Sequence, residues 1–118
     1  MGRKPSSPPN HYVLEQDAPR LEPNLGRWMD WMAAHEKDCK IEETKVTDEI
    51  TVVTRFLGLE AFANLAGGPP KVFQSTVIGG KPHGMMQVHG EIAAARAGHP
   101  LLVKMVKKYF TEKNDENA

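Results

Sequence analysis

Ile50-Thr51-Val52-Val53-Thr54-Arg55-Phe56 is the stretch on which the fold turns. Its first five residues are all β-branched, and such side chains lose rotamer freedom in a helix but pack well on a pleated strand. Ile50, Val52, Thr54 and Phe56 alternate with Thr51, Val53 and Arg55, which puts the first set on one face. Gly58 ends the run. Thr47-Asp48-Glu49, just upstream, reads as a hairpin turn from another strand near Cys39–Val46. Downstream, Val72–Ile78 reads as a third strand closed by Gly79-Gly80. Lys81-Pro82-His83-Gly84 is a turn, and Met85–His89 a fourth, shorter strand.

Both flanks of this strand-rich middle switch to helical spacing. Asn24 can cap a helix in which Leu25, Trp28, Met29 and Met32 recur at i, i+3, i+4 and i+7, running to about Lys37. At the other end Glu91–Ala97 is helical, Gly98-His99-Pro100 interrupts it, and Pro100 suits the first position of a renewed helix. Leu102, Met105, Val106 and Tyr109 then repeat the stripe. The expected class is α+β: an antiparallel sheet of three to four strands with an N-terminal and a C-terminal helix packed on it, in the order α-β-β-β-β-α. Residues 1–23 hold five of the nine prolines and read as a flexible arm. Residues 24–112 form the single domain and 113–118 a disordered polar tail.

A chain of 118 residues fits one core. No apolar run approaches the roughly 20 residues of a membrane span, and the N-terminus has no apolar stretch of the kind a signal peptide needs. A lone cysteine, Cys39, points to a reducing cytoplasm. The formal net charge of zero hides a split. Residues 21–60 carry five Lys/Arg against nine Asp/Glu, and residues 79–113 six against two. Such a split orients a partner or drives self-association, homodimerisation included, whereas a uniformly basic chain would point to nucleic acid.

Several stretches follow one another in a distinctive order: Val53-Thr54-Arg55-Phe56-Leu57-Gly58-Leu59-Glu60, then Gly67-Gly68-Pro69-Pro70, then Phe73-Gln74-Ser75-Thr76-Val77-Ile78-Gly79-Gly80. Ala95-Arg96-Ala97-Gly98-His99 comes later, and Trp28 and Trp31 lie upstream. Together they resemble a set of small proteins of tailed bacteriophages and prophages, with the patterns FLGLDH, GGPPLLFETMVFGG and EAEAGH. The resemblance spans roughly residues 27–108, most of the chain outside the arm. It implies a phage origin and carries no biochemical activity with it. Where the pattern has Asp-His this chain has Glu60-Ala61, where it has Glu this chain has Gln74, and Val88-His89 replaces Arg-Tyr. What persists is mostly turn and packing residues: Gly58, Pro69, Pro70, Phe73, Val77, Gly79, Gly80, Gly98 and His99.

The chemistry-bearing residues form no recognisable catalytic pattern. Of His11, His35, His83, His89, His99 and Cys39, only His35 and Cys39 lie at i, i+4, so no metal site is expected. Cys39 stands in an acidic run that blunts a thiol. The Gly67-Gly68-Pro69-Pro70 and Gly79-Gly80-Lys81 loops lack the Gly-Lys-Ser/Thr ending of a phosphate loop and read as turns. No catalytic group and no cofactor are expected. The expected role is a phage-derived accessory protein that binds a host protein, for example to inhibit a bacterial defence system. Trp31, Met85 and Met86 are its candidate contact residues. The alternatives are a nucleic-acid-binding protein using Lys81, Lys104, Lys107 and Lys108, and a minor virion component.

Overall fold

The computed structural model of the chain describes residues 10–60 and 70–110. The start of the expected arm, the Gly67-Gly68-Pro69 loop and the tail at 113–118 lie outside the described residues. Eight elements follow in order: β1 (Tyr12–Glu15), β2 (Ala18–Leu21), α1 (Leu25–Ala34), β3 (Lys40–Lys45), β4 (Thr51–Phe56), β5 (Phe73–Ile78), β6 (Met86–His89) and α2 (Ile92–Phe110). The α+β class holds, and β3 to β6 form one antiparallel sheet in sequence order.

The β-branched run at 50–56 becomes β4, a central strand paired with β3 and β5. Its turn from β3 is local chemistry. The Thr47 hydroxyl accepts from the backbone N–H groups of Glu49 and Ile50 at 3.1 and 3.0 Å. The face of β4 that meets α2 pairs Val52 with Val77, Thr54 with Ser75 and Phe56 with Phe73. The opposite face carries Arg55 and Ile78 into solvent. Val53, on that same face, is buried, so the in-and-out alternation of a sheet covered on one side is clear at Arg55 and Phe56 and not at Val53.

Two parts of the chain depart from the expected order. The first lies within residues 1–23, where Tyr12–Leu21 forms a β-hairpin ahead of α1. The helix is therefore not the first element. Gln16 and Asp17 both have positive φ, the geometry of a tight two-residue turn, and Val13 is buried. Pro19 lies on a two-stranded ribbon, which is all edge and so tolerates a missing donor. The hairpin is tied down where the Tyr12 N–H donates to the Gly58 carbonyl (2.8 Å) and the Trp28 indole to the Tyr12 carbonyl (3.0 Å). Gly58 has φ +77°, and a Cβ there would press on Met32 and Trp28, so the strand end passes close under α1 only because it is glycine.

The second departure is α2, which runs unbroken for 19 residues with Pro100 inside it. Pro100 has no N–H to give the preceding turn, a local loss of one helical bond. Ala95, Gly98, His99, Leu102, Val103 and Val106 are all buried on the sheet side, and this packing carries the helix across the gap.

The core falls into two clusters. Ile50, Val52, Val77, Leu102, Val103 and Val106 fill one end. Cys39, Phe56, Val72, Phe73 and Ala95 fill the other, where Trp31, Met32, Tyr12 and Leu14 pack against them. Between the two lies a polar layer.

Candidate functional site

The polar layer is a single cross-strand row. Glu42 on β3 pairs with Thr54 on β4, Thr54 with Ser75 on β5, and Ser75 with Gln87 on β6. His99 of α2 comes down on this row and is only 1% exposed. Its Nδ1 is hydrogen-bonded to the Thr54 hydroxyl at 2.7 Å, and that hydroxyl to the Ser75 hydroxyl at 2.6 Å. Its Nε2 is hydrogen-bonded to the Thr44 hydroxyl at 2.8 Å, with a Glu42 carboxylate oxygen 4.0 Å away. A neutral imidazole needs one donor and one acceptor as partners, and two hydroxyls supply both whichever ring nitrogen holds the proton.

A defect in β3 puts Glu42 and Thr44 on this face. Strict alternation from buried Cys39 would point Ile41, Glu43 and Lys45 toward α2. The register with β4 shifts between Lys40 and Glu42, so that Ile41 still packs into the core while Glu42 and Thr44 also face the helix. Glu43 is left outside, where it pairs with Lys40 at 2.7 Å. That ammonium holds the Glu43 carboxyl below the usual range.

A groove of about 300 Å³ opens above Thr44 and His99, between β3 and α2. Glu42 lines it on the strand side, and Pro100, Val103, Lys104 and Lys107 on the helix side. The volume is at the small end for ligand sites. Thr54 and Ser75 are fully buried and reach no surface, so they hold the ring and do not meet a substrate. The groove offers solvent the Thr44 side chain and charges of both signs, with the buried His99 ring behind them.

Each candidate from the sequence has a definite place. Trp31 is half-buried, stacked on His35 at 4.2 Å and edge-on to Phe56 at 6.0 Å, so most of its surface serves the core. Met85 packs against the first cluster. Met86 is 48% exposed on the open sheet face, where its sulfur accepts from the Gln74 amide at 3.2 Å. Lys104, Lys107 and Lys108 lie exposed on α2, with the Lys108 ammonium 5.6 Å from the Tyr109 ring centre. Lys81 lies apart on the turn between β5 and β6.

The histidines do not gather, and among the described residues no three His, Cys, Asp or Glu side chains converge. His83 is used locally, its Nδ1 accepting from the Gly79 N–H at 2.8 Å. His89 lies beneath α2, where burial and the Lys71 charge hold its imidazole below the ordinary value, and its Nε2 has no partner. Burial, more than Asp38 and Glu36, pushes the Cys39 thiol up, which keeps it protonated and unreactive.

No protein-family model, curated protein or solved structure matches the chain. Its functional reading therefore rests on geometry. His99 is the residue that reading by spacing missed, because Gly98-His99-Pro100 looks like a helix break. The available signal was its position: Ala95, His99, Leu102 and Val106 recur at i, i+4, i+7 and i+11.

Proposed function

We propose that this chain is a non-enzymatic binding module that takes a protein partner on α1. The observation that carries this reading is the state of the helix itself. α1 is amphipathic and capped, the Asn24 side chain accepting from the Arg27 N–H at 2.9 Å, yet none of its residues is buried. Trp28 and Met32 lean on the hairpin and on Gly58, while Leu25 and Met29, one turn apart, are 53% and 57% exposed. Leu21, at the end of β2, is 48% exposed as well. Half of an apolar stripe left in water is what a helix presents to a docking surface. The partner we propose is a host factor, on the phage origin expected from the sequence motifs, with inhibition of a defence component as one outcome of binding.

The test is capture from nuclease-treated host lysate with three forms of the chain. The wild type and a Lys104→Glu/Lys108→Glu variant should retain the same single protein, and a Leu25→Glu/Met29→Glu variant should lose it. Retention by all three, or by none, would remove α1 as the binding surface.

A nucleic-acid reading has one observation in its favour: Lys104 and Lys108 stand on successive turns of the solvent face of α2, beside Lys107. It requires that charge reversal at these positions abolish retention on heparin. Co-sedimentation with phage particles separates the third reading, a virion component, from both.

A further inference from the structure

We propose that the groove between β3 and α2 binds a free α-amino acid, its ammonium against Glu42 and its carboxylate against Lys104. This site is separate from the protein-docking face on α1.

Three features of the groove carry the assignment. The first is preorganisation. The His99 ring is locked by Thr54 and, through it, Ser75, so its Nε2 and the Thr44 hydroxyl are fixed in place at the groove floor. Thr44 lines the groove and keeps hydrogen-bonding capacity beyond its one bond to the ring.

The second is the charge pattern. Glu42 and Lys104 line opposite sides of one small groove and form no ion pair with each other. The only basic group within 4.0 Å of the Glu42 carboxylate, among the described residues, is the His99 ring, and Lys104 has no carboxylate partner among them. On either side of Glu42, Lys40 and Glu43 pair at 2.7 Å, so opposite charges on this strand do meet where geometry lets them. Glu42 and Lys104 instead stand apart with open space between. A simple anion would meet Glu42 with repulsion, and a simple cation would meet Lys104. A molecule carrying both charges a few ångströms apart satisfies both.

The third is size and lining. About 300 Å³ suits a molecule of amino-acid dimensions and is too small for a dinucleotide. Val103 and Pro100 supply the apolar wall that a side chain's methylenes would cover.

The experiment is a ¹H–¹⁵N NMR titration of the full-length protein with each of the twenty proteinogenic amino acids at millimolar concentration. The expected result is that at least one moves the amides of residues 42–45 and 99–107 and leaves those of β1, β2 and α1 in place. The N-acetyl form, which lacks the ammonium, and the carboxamide, which lacks the carboxylate, should each bind about tenfold or more weakly. Glu42→Gln and Lys104→Gln, both at exposed positions that leave the core untouched, should separately cause the same loss. No localised shift with any of the twenty overturns the proposal. So does an N-acetyl form that binds as well as its parent, which would make the site an anion site. Neither outcome bears on partner capture through α1, which the Leu25 and Met29 substitutions test on their own.

Discussion

His99 places an imidazole in the middle of an apolar interface, and its cost depends on its partners. Removing the ring by His99→Ala opens a cavity and takes from the buried Thr54 hydroxyl its bond to Nδ1, leaving it Ser75 alone and no solvent. Both effects destabilise, together by about 2–4 kcal/mol in urea unfolding. Replacing the whole constellation with apolar residues of similar shape, His99→Leu with Thr54→Val and Ser75→Ala, should recover most of that loss, because no orphaned group remains. If the triple variant is no more stable than His99→Ala, the layer is held by something other than hydrogen-bond satisfaction. His89 is the opposite case, a ring whose Nε2 has no partner and whose neutral form the fold favours. A histidine with a depressed folded value contributes stability that is complete above the unfolded value, near 6.5, and is lost as pH falls through the folded one. Stability should therefore drop on acidification below about pH 6.5. His89→Gln should flatten that part of the profile, and an unchanged slope would assign it to another group.

At the scale of the element, helix and strand meet closely where Gly98 receives His89. A Cβ on Gly98 would lie 2.8 Å from His89 Cε1 and 3.0 Å from Nε2. Gly98→Ala gains helix propensity worth about 1 kcal/mol but must displace that ring. In a His89→Ala background the displacement disappears, so the same substitution should be more favourable there by about 1 kcal/mol. A double-mutant cycle reads the difference, and additivity would place the ring elsewhere. Elements governed by adjacent residues were the ones legible in the sequence: the Asn24 cap, the Thr47 turn, and the alternation from Ile50 to Phe56. Those governed by the partner strand or by the sheet were not. The β3 irregularity changes which residues face α2, and nothing in Lys40-Ile41-Glu42-Glu43-Thr44-Lys45 announces it. α2 likewise runs through Pro100 because the sheet beneath holds both halves. The Tyr12–Leu21 hairpin was not legible because Pro19, a Gln-Asp turn and the proline-rich stretch before it look like unstructured chain. The groove depends on both the irregularity and the unbroken helix, and so it too was illegible.

Across the whole molecule, the fold is a sheet gripped unequally. α2 touches all four strands of the main sheet and contributes six buried residues, whereas α1 contributes none and joins mainly through the β1–β2 hairpin, Gly58 and the rim of the second cluster. Local opening follows buried apolar contact, so the two halves should not open together. The hairpin and α1 can detach while β4, β5 and α2 keep the first cluster and the polar layer intact. Detachment of α2, by contrast, exposes Val52, Val77 and the His99 layer at once and amounts to global unfolding. Native-state hydrogen exchange should therefore find the α1 and β1–β2 amides exchanging at least about ten times faster than those of β4 and β5, a gap of roughly 1.4 kcal/mol or more in opening free energy. Binding to α1 should close that gap, because a partner on Leu25 and Met29 stabilises only the docked helix. Uniform protection across both groups would mean that the hairpin end is as firmly held as the sheet. α1 would then be a finished part of the core, and its exposed leucine and methionine would lose their standing as the mark of a binding face.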